Sequence, residues 1–151
     1  MGISNFSIRD DNRLKLDEII RVLVYLGRLY TSMPISYITY KGKDILYIDL
    51  RESKTEQRSK ELLAETVKAY QESSGDIIAL TNVEGAYMNP EIIEETKKYA
   101  KSLFTQRAKK RAMVGVKGLK KLIFNSYAKI SGNNIRLFDT EEEAKEFLIA
   151  D

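Results

Sequence analysis

The chain has no cysteine and no histidine among its 151 residues. The first absence excludes disulfide frameworks and thiol chemistry. Together the two remove zinc sites with Cys or His ligands and the side chain most used for proton transfer near neutral pH. Any catalysis would have to draw on carboxylates, lysines, tyrosines or hydroxyls. A strong excess of one charge is also missing: 25 basic against 22 acidic residues leave a formal charge of +3. That balance argues against a general nucleic-acid binder. No apolar run approaches the roughly 20 residues that span a bilayer. The N-terminal order Met-Gly-Ile-Ser-Asn-Phe-Ser lacks both the basic-then-apolar plan of a signal peptide and a Ser or Thr at the sixth position for myristoylation. These absences lead to the expectation of a cytoplasmic protein with no membrane, nucleic-acid, cofactor or metal partner.

What is present is a 43% hydrophobic composition, enough for one domain to bury a core. From about Leu14 to Tyr30 apolar residues recur at three and four, which predicts a helix with Asp11 and Asn12 as caps and Pro34 as its stop. Its apolar arc is wider than a surface helix needs, so it asks for cover from its own domain or from a second copy. Ile35–Tyr40 and Ile45–Leu50, joined by Lys41-Gly42-Lys43-Asp44, read as a β-hairpin. Thr55–Gln71 reads as a helix with Leu62, Leu63, Val67 and Tyr70 inward, and 76–81 as a short strand. Asn89-Pro90 opens a helix reaching Leu103-Phe104. Arg111–Val116 reads as a strand, about Gly118 to Lys129 as a helix broken by Ser131–Asn134, and Ile135–Phe138 as a last strand. A closing helix capped by Asp139 or Thr140 follows. This order predicts an α/β fold whose strands are parallel except for the first hairpin strand.

Four segments carry a family resemblance: Asp44–Leu50, Leu80–Glu91, Val114–Leu122 and Ser131–Ala144. In joint order and spacing they resemble the STAS-like superfamily, the fold of the anti-sigma-factor antagonists, over about residues 35 to 150. The resemblance implies a mixed sheet with helices packed on it and a regulatory role through binding another protein, without catalysis. It divides the chain into a helical extension, 1–33, and a STAS-like domain, 34–151. Regulatory members carry a phosphorylated Ser or Thr at the start of the helix after the central strand. Asn82–Met88 has none in that place, so no phosphosite carries over, and Thr81 reads as an ordinary strand-end residue.

Two places remain as candidate contact sites. The loop Asn82–Asn89, with Asn82, Glu84, Gly85, Tyr87 and Met88, lies where open sheets of this kind place ligands and partners. Alternatively, Tyr87 and Met88 tuck beneath the next helix. The junction Val-Gly-Val-Lys-Gly-Leu-Lys-Lys-Leu, residues 114–122, joins Lys117, Gly118, Lys120 and Lys121 at a helix start, where unpaired N–H groups favour an anion. Its spacing matches no phosphate-loop pattern, and strand-to-helix packing explains Gly115 and Gly118 equally well. Arg107, Lys109, Lys110 and Arg111 precede it, either converging with those lysines into a basic patch or forming a solvated run. Asp49 with Glu84 could be a carboxylate pair, or Asp49 could cap its own turn. The expected function is protein interaction, including a homodimer through the N-terminal helix. The alternative is binding of a small anion, nucleotide or lipid between the loop and the helix start.

Overall fold

The computed structural model describes residues 8–31, 33–130 and 134–151. The chain divides into two units, Met1–Met33 and Pro34–Asp151. The first holds α1, Ile8–Thr31, whose described side chains run from Lys15 to Leu26. The helix extends through Asp11 and Asn12, so these positions lie inside it and not at its start. Leu16, Ile19, Ile20, Leu23, Val24 and Leu26 are each about half exposed or more.

The second unit is an α/β domain on a five-stranded sheet in the order β1-β2-β3-β4-β5. β1 (Ile35–Tyr40) and β2 (Lys43–Asp49) form the antiparallel hairpin, turning through Lys41 and Gly42, both at positive φ. Asn or Gly is favoured in such a turn; here only the second position is Gly. β3 (Ile77–Asn82), β4 (Ala108–Val114) and β5 (Ile135–Phe138) then add in parallel. Between them lie α2 (Glu56–Glu72), α3 (Pro90–Tyr99) and α5 (Lys120–Ile130), and α6 (Glu141–Ile149) closes the chain.

Alternation along the strands builds two apolar layers, because successive side chains leave opposite faces of a pleated sheet. Ile45, Leu80, Ala112 and Val114 pack with Ala144 and Leu148 of α6. Leu46, Ile48, Ile77, Ala79 and Ile135 pack on the other face with Leu63, Val67 and Tyr70 of α2 and Phe124 and Tyr127 of α5. Parallel strands covered on both faces need apolar residues at both parities, as β3 (Ile77-Ile-Ala-Leu80) has.

Three boundaries differ from the sequence reading. β4 starts at Ala108 and stops at Val114, because its pairing with β3 runs from Ile77↔Ala108 to Asn82↔Val114 and Gly115 then takes φ +84°. α5 starts at Lys120, since Gly118 at φ +60° turns into it and its carbonyl accepts from Lys121 N at 3.0 Å. The helix after Pro90 is not uniform: α3 passes into a π-helical turn, Ala100–Phe104, and a last turn α4, Thr105–Arg107. The wider turn shifts the helical phase, and both Ala100 and Phe104 are buried. Of the expected break at Ser131–Asn134, residues 131–133 lie outside the described residues.

A lidded apolar cavity at the C-terminal end of the sheet

The loops that leave β2, β3 and β4 meet at one rim because parallel strands all end there. Val83 N donates to Val114 O at 3.0 Å, Tyr87 N to Ser53 O at 2.6 Å, and Leu50 N to Asn82 O at 2.8 Å. Gly115 allows a further close approach, to the backbone of Glu84. A Cβ on it would stand 2.5 Å from Glu84 N and 2.7 Å from Glu84 Cα, and its φ of +84° favours glycine in any case. Of the two readings of this glycine, close packing is the one that the geometry supplies.

The candidate residues of the two loops come together, with different fates. Glu84 Oε1 and Lys117 Nζ form an exposed ion pair at 2.6 Å. The lysine's hydrogen bond and charge hold the Glu84 carboxyl below its ordinary range, and Glu84 raises Lys117 in turn. Lys120 Nζ donates to Ala86 O at 2.9 Å, and Lys54 Nζ to Gly85 O at 3.0 Å. Lys117 and Lys120 at the helix start are thus engaged by the neighbouring loop, while Lys121 is exposed and Gly118 serves the turn. Asn82 is buried in β3 itself: its Nδ2 donates to Glu141 Oε1 at 2.8 Å and its Oδ1 accepts from Glu84 N at 3.0 Å. Glu141 also accepts from Tyr47 Oη at 2.6 Å, so Asn82 anchors the loop toward α6. Burial, then Glu141, raises the Tyr47 hydroxyl well above its ordinary range.

Asp49 and Glu84 are each engaged by a cation, Asp49 by Arg51 and Glu84 by Lys117. Asp49 accepts from Arg51 N at 3.0 Å and from its guanidinium at 2.9 and 2.6 Å, which lowers its pKa. This is the local turn cap that the sequence allowed. The basic patch also dissolves. Arg107 donates to carbonyls at the end of α2, Lys110 to those of Phe147 and Ala150, and Arg111 is buried within the sheet at 4% exposure. β4 starts three residues earlier than expected, and strand parity puts Lys110 and Arg111 on opposite faces, while Lys109 stays exposed at the register shift between Ile77 and Ile78.

Beneath the rim lies a cavity of about 140 Å³ between the sheet and α2, α3 and α5. Ile48, Leu63, Val83, Ile92, Phe104 and Phe124 are among its buried walls. Tyr87, Met88 and Ile123 also line it and are more than a third exposed, so they form its outer lip. Neither reading of Tyr87 and Met88 is complete by itself: they face the cavity and keep a wet edge. Deeper in, Arg111 lines the cavity beside Tyr70 and Tyr127. Its guanidinium donates to Tyr127 Oη at 3.3 Å, to Thr105 Oγ1 at 3.2 Å and to Asn134 Oδ1 at 3.1 Å. A buried cation survives when hydrogen bonds replace its hydration.

Sequence reasoning missed the cavity and Arg111. One signal was available: in Arg111-Ala-Met-Val114, apolar Ala112 and Val114 share a face, so Arg111 joins Met113 on the opposite and equally covered face. Among the described residues no cluster of His, Cys, Asp and Glu could hold a metal ion, and no helix is long and apolar enough to cross a membrane. Compared with protein-family models, curated proteins and solved structures, the chain matches none.

Proposed function

We propose that Pro34–Asp151 is a non-catalytic binding module that holds a small, largely apolar molecule beneath the lip of Tyr87, Met88 and Ile123. The observation that carries this reading is the cavity itself. Protein interiors are packed as densely as organic crystals and contain few voids larger than a water. At about 24 cal/mol per Å³, leaving 140 Å³ unfilled costs up to about 3 kcal/mol, less where the lip admits solvent. An occupant recovers that energy. Engagement of Asp49 and Glu84 by separate cations supports binding over acid/base chemistry.

The test is a melting series with small hydrophobes such as toluene, indole and cyclohexane derivatives. A ligand at about 100 times its Kd stabilises by about 2.7 kcal/mol, a rise of several degrees. Ile93→Trp, which places bulk at the cavity wall, is expected to keep the fold and lose the response. Flat melts across the panel in the unaltered protein count against the reading.

A partner protein is the second reading, in keeping with the regulatory role that the STAS-like resemblance implies. It is favoured by Leu119 and Leu122, which stand 80% and 65% exposed on the α5 side of the rim. Ligand and partner would then share one edge, the occupant setting the position of the lip that the partner meets.

A further inference from the structure

The inner end of the cavity differs from its walls in what it leaves unpaired. Tyr70 is 2% exposed and lines the space, with its ring centroid 4.6 Å from that of Phe104. Among the described residues its hydroxyl has no hydrogen-bond partner. A buried hydroxyl without a partner is costly, and such groups in native proteins have a reason. Burial raises its pKa, so the proton stays in place at neutral pH. Tyr127, close enough to act electrostatically on Tyr70, is buried and lines the cavity as well. Its Oη accepts from Arg111 at 3.3 Å, and its own hydrogen has no acceptor among the described residues.

The rest of the polar lining is already served. Ser53 and Ser59 bond each other, and Thr66 and Thr96 donate to the carbonyls of Leu62 and Ile92 at 2.7 Å each. Lys120 donates to Ala86 O, and Arg111 is held by Tyr127, Thr105 and Asn134. Thr81 is only partly buried and lies next to the end of β3, at the rim. What the chamber leaves unmet is therefore a pair of neutral donors, the two phenolic hydrogens, and no free charge.

Resting on the reading of this cavity as a ligand site, we infer that its ligand is a neutral carbonyl compound built on a single six-membered ring, its oxygen accepting from the Tyr70 and Tyr127 hydroxyls. A carbonyl oxygen has two lone pairs and no hydrogen, so it pairs both donors and leaves nothing over. An alcohol brings a hydrogen of its own, one more donor to satisfy. A carboxylate brings a charge, and with both cations of the lining already engaged only neutral donors would replace its hydration. Size follows from volume: a chamber of about 150 Å³ accommodates benzene, so 140 Å³ fits a ring of about six carbon atoms. The ring packs among Phe104, Phe124 and Met113, which line the space.

Calorimetric titration at neutral pH compares cyclohexanone with methylenecyclohexane, cyclohexanol and cyclohexanecarboxylate, which share one ring. The unaltered protein is expected to bind the ketone several-fold more tightly than the alcohol or the acid. Tyr70→Phe, which removes only the hydroxyl, is expected to weaken the ketone about 5-fold, the worth of one net hydrogen bond, and to leave methylenecyclohexane unchanged. The carbonyl stretch of bound cyclohexanone should lie below its value in hexane and move back toward it in the variant. An alcohol or acid that binds as tightly as the ketone overturns the carbonyl inference while the cavity reading stands. A ketone affinity unchanged in Tyr70→Phe, or equal losses for ketone and hydrocarbon, refutes the seat assigned to the oxygen. No binding by any of these probes overturns both readings.

Discussion

Gly115 and Gly118 stand three residues apart in one motif and do different work. Both hold positive φ, yet only Gly115 presses against another backbone, that of Glu84, while a Cβ at Gly118 would meet open space. Gly118→Ala is therefore expected to cost about 1 kcal/mol, the left-handed strain alone. Gly115→Ala adds a collision with backbone that cannot rotate away, and should cost at least about 2 kcal/mol. Thermal or urea melts of the two variants order them, and equal losses would refute the close-approach account. The motif was visible in the sequence, but its partner was not, since Glu84 lies in a different loop and only β3–β4 pairing brings it near. Arg111 makes the same point from the opposite side. Its type and its basic neighbours predicted solvent, and strand parity placed it in the interior.

At the scale of elements, local chemistry was the better guide. Asn89 caps α3 through its side chain, which accepts from Ile92 N at 2.8 Å, with Pro90 at the first helical position. Thr140 and Glu143 form a reciprocal capping box at the start of α6, with bonds of 3.2 and 3.3 Å. These were legible because a cap involves residues within one turn of each other. Thr140→Ala is expected to lower stability by about 1 kcal/mol and Thr140→Ser by a few tenths, measured by urea denaturation. The loss should include the anchoring of Asn82, because Glu141 stands in the same first turn. Equal stability of the alanine variant and the parent would show that the box contributes nothing. The π-helical turn at Ala100–Phe104 was not legible. Its residues are ordinary helix formers, and the register shift satisfies the core around Tyr70 and not any local preference.

At the scale of the whole molecule, α1 presents an apolar face. Its exposed Leu16, Ile19, Leu23 and Leu26 fall on one side at alternating spacings of three and four, the seam along which two helices pack. Burying such side chains is favourable by about 25 cal/mol per Å², so self-association through this helix is the expected outcome. Sedimentation should show an apparent mass that rises with concentration, and Leu23→Asp should return the monomer. A mass independent of concentration would remove the idea. The order of elements, the antiparallel hairpin, the parallel strands after it and the caps of α3 and α6 were determined by the sequence alone, because periodicity, turn residues and caps act within a few positions. The cavity, its lip, the burial of Arg111 and the tight fit of Gly115 against Glu84 were decided only by the tertiary structure. Each depends on which distant segments the sheet sets side by side, and no local pattern carries that information.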